Sequence, residues 1–348
     1  MAKAKQRASA SQRREEVRKQ RQQRLSNNQS SQAQIRNQER RRRQSKRGLP
    51  WGLVVGALLV IVAIVGIFIY LSQQSSSSGG TKGSTPTSSS VLHEVSNVSP
   101  GVLAAVGTGG QQKVLVPLKG GSPPFLTGSN GKPEFFYAGA EYCPYCAAER
   151  WSVVVALSRF GTFSKLNQTT SSSSDIYPNT STFTFYQSAY TSRYIDFVSM
   201  EGNTNQPDGS GGYTVLQTPT AEQQKLIDTY DAPPYLSSAG SIPFIDIANQ
   251  YLMQGANFDP QVLSGLSWQE IANELSNPNS NVTKDIVGSA NYLTAAICQV
   301  TKQQPGTVCT AAPIPQIEQS LGKAAFHAGG TQVGLVPGRF DMVIRRLD

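Results

Sequence analysis

The chain has little charge, little histidine and little cysteine. Charged residues make up 15% of its 348 residues, against the usual quarter. The 2 histidines exclude a histidine-rich metal centre and leave poor material for a Ser-His-Asp site. The 4 cysteines are too few for a small disulfide-built scaffold. Basic residues are scarce outside one tail. Residues 1–50 hold 16 Lys and Arg against 3 Asp and Glu, whereas residues 91–348 hold 14 against 19. The net charge of +9 therefore belongs to the tail, which excludes a generally basic nucleic-acid-binding globule.

What is present falls into blocks. Residues 1–47 are rich in Arg, Gln, Ser and Lys with almost no apolar residue, so they cannot bury enough surface to offset the entropy of ordering. Trp51 to Leu71 is an uncharged run of 21 residues. As a helix it would span about 31 Å, the thickness of a bilayer core. Trp51 and Tyr70 stand at its ends, where interfacial aromatics belong. A cleaved signal peptide is the nearest competitor, but its apolar core would be shorter. The basic flank puts residues 1–50 in the cytoplasm and the residues beyond 71 outside. Residues 72–90 read as a flexible Ser/Gly linker with a span of about 24 Å. The expected organisation is a disordered cytoplasmic tail at 1–50, a transmembrane helix at 51–71, this linker, a folded domain at 91–276 and a C-terminal helical extension at 277–348. The expected location is the cell membrane, single-pass, with the lipid bilayer as anchor and no nucleic-acid partner.

The strongest motif lies at 134–146, EFFYAGAEYCPYC. Glu134 to Ala140 reads as a buried strand, and Pro144 to Phe160 as a helix stopped by Gly161. Pro144 fits the first helical position, where its missing N–H costs nothing. Cys143 and Cys146 are three apart at a helix N-terminus, close enough to form a disulfide. Unsatisfied backbone N–H groups and the helix dipole there favour a thiolate at the first cysteine. That thiolate can attack a disulfide, and the second cysteine can resolve the product. Attack is assigned to Cys143 and resolution to Cys146. Zinc would need four ligands, which the remaining cysteines and histidines do not supply at a matching spacing. An inert disulfide and a Cu(I) carrier are the other readings of the pair. No metal and no cofactor are expected.

A second segment, 241–256, reads SIPFIDIANQYLMQGA: a hairpin of Phe244–Ala248 and Tyr251–Gln254 preceded by Ile242-Pro243. Together with Ala140-Glu141-Tyr142-Cys143, this resembles the thioredoxin superfamily. The resemblance covers roughly residues 113–276. It implies a thioredoxin-like α/β fold, a central mixed sheet flanked by helices, for the domain at 91–276. It also implies a cis bond before Pro243 facing the cysteines, and substrate contact by Pro144, Tyr145, Ile242 and Pro243. The strands expected are Lys113–Leu118, Glu134–Ala140 and Thr182–Tyr190. Helix Ala221–Tyr230, the hairpin and helix Trp268–Leu275 follow. Loops are expected at Thr169–Ser174 and Asn203–Gly212, and an insertion near 191–218. The anchor, the linker and the C-terminal cysteines are also similar to those of domain-of-unknown-function family 929, which carries no established activity. Two departures stand out. Thioredoxins bury a carboxylate six residues before the first cysteine, where this chain has Tyr137. The central dipeptide is Pro-Tyr, as in glutaredoxins, which suggests a potential between about −270 and −120 mV.

Cys298 and Cys309 flank a turn at Pro305-Gly306, after an expected helix Asn281–Val300. They read as a structural disulfide stapling that helix end; a redox pair relaying electrons to Cys146 is the alternative. The function expected is a membrane-anchored, extracytoplasmic thiol–disulfide oxidoreductase. It would act on protein thiols and disulfides of secreted or membrane proteins, with a membrane redox partner as an option. The rival is a non-catalytic binding or scaffold module whose cysteines only staple the fold. The scarcity of carboxylates also suggests tolerance of an acidic exterior.

Overall fold

A computed structural model describes Lys19 and residues 84–111, 115–118 and 124–324. The expected tail, apart from Lys19, and the expected transmembrane helix at 51–71 lie outside the described residues. Among the described residues no helix is long and apolar enough to cross a membrane. Apart from Lys19, the described residues belong to one unit, Lys82–Asp348.

In chain order the first elements are β1 (Thr85–Pro86), α1 (Ser89–Ser96), α2 (Pro100–Val106), β2 (Val116–Pro117), β3 (Glu134–Gly139) and α3 (Pro144–Ser158). Then come β4 (Gly161–Thr170), β5 (Ser181–Ser192), β6 (Asp196–Glu201), β7 (Asn203–Pro207), β8 (Tyr213–Val215) and α4 (Ala221–Tyr230). The last are β9 (Phe244–Ile247), β10 (Tyr251–Gln254), a 3₁₀ turn (Pro260–Leu263), α5 (Trp268–Glu274), α6 (Asn281–Val300), α7 (Gly306–Cys309) and α8 (Ile314–Ala324).

The central sheet has 5 strands in the order β2-β10-β9-β3-β6. β3 pairs in parallel with β6 and antiparallel with β9, so the sheet is mixed. β3 is buried on both faces, and its side chains alternate between them. Phe135 and Tyr137 enter the larger core with Trp151, Val154, Leu157 and the apolar residues of α6. Phe136 and Ala138 enter a smaller core with Phe244, Leu252 and Tyr230 at the end of α4. Helices therefore cover both faces. Each such aromatic contributes about 1.5–3 kcal/mol by leaving water.

Several expectations are corrected. The parallel partner of β3 is β6, inside the stretch expected as an insertion. Parallel strands need a long crossover, and here it contains α3 and the antiparallel pair β4–β5. That pair forms a separate sheet of 3 strands with β1. β4 was not anticipated because its buried residues, Phe163, Leu166 and Thr169, fall three apart. Register shifts on both sides of Lys165 break the two-residue period. The loop expected at Thr169–Ser174 begins inside β4, and the one at Asn203–Gly212 is partly the β7–β8 hairpin. The linker ends earlier than residue 90, since Thr85 and Pro86 pair with Gln168 and Asn167 and α1 starts at Ser89.

No packing boundary falls at residues 276 and 277. α6 spans Asn281–Val300 as expected, but it is part of the main core rather than an extension. It packs closely on the turn after α2. A Cβ added at Gly288 would stand 2.5 Å from the carbonyl oxygen of Thr108, so only glycine admits this approach. Cys298 and Cys309 form a disulfide with their Cα atoms 5.5 Å apart.

Candidate redox site

The site grows from the C-terminal end of β3. Ala140, Glu141 and Tyr142 turn the chain, and Cys143 becomes the N-cap of α3. Its Sγ accepts the backbone N–H of Cys146 at 3.2 Å, while Pro144 occupies the first helical position. Sulfur thus takes the place that a Ser or Asp oxygen usually holds at a helix start. The Ile242–Pro243 peptide is cis, and the Ile242 carbonyl oxygen lies 3.8 Å from the Cys143 Sγ. Residues 99 apart in sequence meet because β3 and β9 are neighbours in the sheet. Cys143, Pro144, Cys146 and Pro243 are buried; Tyr145 and Ile242 are half-buried. Cys143 is 5% exposed. Among the described residues the free cysteines are these two; Cys298 and Cys309 are consumed in their own bond.

Tyrosines frame the motif. Tyr142 stacks on Tyr213 with ring centroids 4.2 Å apart, and Tyr145 meets Tyr177 edge-on at 6.3 Å. Tyr213 comes from β8 and Tyr177 from the β4–β5 turn, both absent from the expected site. Backbone bonds brace the same region: the Ser172 N–H donates to the Tyr142 carbonyl at 2.9 Å, and the Glu141 N–H to the Asn203 carbonyl at 2.9 Å.

Beneath Cys146 lies a charged pair to which the sequence pattern assigns no role. Arg150 and Glu201 are both fully buried. The Arg150 Nε and Nη2 donate to the two Glu201 oxygens at 2.9 and 2.6 Å. Nη2 also donates to the Ala140 carbonyl at 2.8 Å, tying the helix to the turn before Cys143. Burial alone would depress the guanidinium, but Glu201 and Tyr137 hold it well above its ordinary value. Burial pushes the Cys146 thiol well up, and the neighbouring Cys143 adds to this, while Arg150 opposes it. Tyr137 is also raised, first by burial, with both cysteines and Glu201 adding and Arg150 opposing. The signal was available in part: Glu149 and Arg150 are the charged residues of an otherwise uncharged α3. Glu201 could not be found, because its strand lay in the stretch expected to be inserted.

Fold and site together define a mixed α/β domain with a Cys-Pro-Tyr-Cys helix start facing a cis-proline. Residues 126–299 match the family described as a domain of unknown function, DUF929, and the chain belongs to that family. The match runs from just before β3 into α6, so it contains the cysteine motif, the cis-proline and the buried ion pair. No curated protein and no solved structure matches the chain.

Proposed function

We propose that this protein is a thiol–disulfide oxidoreductase of thioredoxin-like fold, working through the Cys143/Cys146 dithiol on cysteines of secreted or membrane proteins. The observation that carries the reading is the arrangement at Cys143. Its sulfur receives the N–H of Cys146 at 3.2 Å and faces the Ile242 carbonyl at 3.8 Å. An adjacent carbonyl edge suits an extended polypeptide that pairs with backbone. In this reading Cys143 attacks, Cys146 resolves, and Pro144, Tyr145, Ile242 and Pro243 contact the substrate. The apolar run Trp51 to Leu71 anchors the domain outside the membrane, with the basic tail in the cytoplasm. The buried state of both thiols favours a second reading, a binding module in which the cysteines only shape the fold.

One experiment separates the two. Cys146→Ser lacks the resolving thiol, so Cys143 should accumulate a mixed disulfide with a disulfide-bonded peptide. The unmodified chain should exchange with the same peptide and release it. If Cys146→Ser traps nothing and the unmodified chain does not exchange, the oxidoreductase reading is wrong and the binding module stands.

A further inference from the structure

Arg150 and Tyr137 each keep a polar atom without a partner in the interior: Nη1 of the guanidinium and the phenolic oxygen. Both side chains are 0% exposed. Stability does not call for this. A buried ion pair is often no better than well-packed apolar residues, and an unpaired buried donor is worse. Both side chains interact electrostatically with Cys146. Arg150 follows Cys146 by four residues, which puts both on one face of α3. Glu201 and the Ala140 carbonyl hold Nε and Nη2, leaving Nη1 over. The guanidinium carbon stands 5.8 Å from the Tyr137 ring centroid. The Tyr137 hydroxyl lies against Gly139, where an added Cβ would come within 2.5 Å of it. Besides burial, Cys143 acts on the Cys146 thiol to raise it, while Arg150 and a backbone hydrogen bond from Ala140 favour its anion; Tyr142 also interacts with both thiols. Tyr137 interacts with both thiols, Arg150 and Glu201, and Glu141 interacts with Arg150 and Glu201.

We propose that Arg150 and Tyr137 are positioning residues for Cys146, holding two donors in reserve for the thiolate it becomes when it resolves the mixed disulfide. The inference rests on the oxidoreductase reading above. The Cys143 thiolate attacks the disulfide of a substrate polypeptide. A bond forms between its Sγ and one substrate sulfur, the substrate S–S bond breaks, and the other sulfur leaves and takes a proton from water. Cys146 then gives up its proton to solvent and attacks the Cys143 Sγ. The Cys143–Cys146 bond forms, and the second substrate sulfur leaves and takes up a proton in place of the one Cys146 lost. The substrate disulfide gains two electrons and the dithiol loses two. Between these steps Cys146 is an anion away from water. A guanidinium and a hydroxyl already in place supply what solvent would, with no reorganisation. In the reverse direction the same anion is the leaving group.

The test takes the reduced full chain through a single turnover with a disulfide-bonded peptide, quenched in acid and read by mass, across the neutral pH range. Attack by Cys143 and resolution by Cys146 are then separate rates. Tyr137→Phe removes only a hydroxyl that has no partner, so the fold should survive. Attack should be unchanged, resolution about tenfold slower, and its pH midpoint about one unit higher. Arg150→Met combined with Glu201→Leu replaces the ion pair by apolar side chains and should act in the same sense, more strongly. Normal attack with unaltered resolution and pH midpoint in both variants overturns the role given to Arg150 and Tyr137, leaving the oxidoreductase reading intact. No reduction of the peptide by the unmodified chain together with no mixed disulfide on Cys146→Ser overturns both.

Discussion

Glu149 offers a measurement in which the sign of an effect should reverse with pH. Its side chain is 0% exposed. One oxygen accepts the Ser289 hydroxyl at 2.7 Å and the other the Asn257 N–H at 3.2 Å. Neither partner is a cation. Burial raises the carboxyl from 4.5 to about 7, against the lowering effect of those two bonds. The unfolded chain releases this proton near 4.5 and the folded one near 7. Between those values only the native state holds it, so stability is greatest below about 4.5 and is lost as pH rises through about 7. The shift corresponds to about 3 kcal/mol. Glu149→Gln cannot ionise and keeps the bond from Ser289, but it turns an amide toward the Asn257 N–H, which costs about 1 kcal/mol. The variant should therefore be less stable than the unmodified chain near pH 4 and more stable near pH 8. Thermal unfolding at the two pH values reads this directly. A swing of about 3 kcal/mol is worth about 6–12 °C in a domain of this size. Asp231 and Asp246, also raised to about 7 by burial, push the unmodified chain in the same direction. Asp196 pushes the other way: burial would raise it, but Lys132 and Asn130 hold it below its ordinary value. Its contribution is lost only in more acid solution. If the difference between Glu149→Gln and the unmodified chain is the same at both pH values, the buried-carboxylate argument fails.

Packing and covalent structure give two more outcomes. Replacing Cys298 and Cys309 by Ser opens a closure of 11 residues in sequence and should cost roughly 3 kcal/mol in chemical denaturation. The rate of disulfide exchange at Cys143 should be untouched, and a fall in that rate would make the pair a relay instead of a staple. Gly288→Ala pushes a methyl group into the Thr108 carbonyl, 2.5 Å from the new carbon, and should lower stability by about 1–3 kcal/mol. Wild-type stability for this variant would mean that the turn after α2 yields easily.

Legibility varied with how local the determining forces were. α3, α4, α5 and α6 are legible nearly residue for residue, because apolar periodicity and caps such as Thr220 with Gln223 act within a few residues. β3, β9 and β10 are legible as apolar runs bounded by turn residues. β4 and β6 are not. β4 carries two register shifts, and β6, DFVSME, is short and mixed in polarity. Its assignment depends on pairing with β3 across a long crossover. The two cysteines are legible from spacing. The tyrosines Tyr177 and Tyr213 and the carboxylate Glu201 come from the segments whose pattern misleads, so the site was incomplete in the same places as the fold.

By itself the amino-acid sequence determined the position of the dithiol at a helix start, the hairpin after Pro243 and the apolar run at 51–71. Each arises from residues adjacent in the chain, whose spacing and side-chain type act locally. Tertiary structure alone decided that β6 lies beside β3 and that α6 belongs to the core. It also decided that Arg150 meets Glu201 under Cys146. These depend on which strands become neighbours and on how much water is excluded between them. That is a property of the whole packed chain, since a charge in a helix pattern reads the same whether it faces solvent or a buried carboxylate.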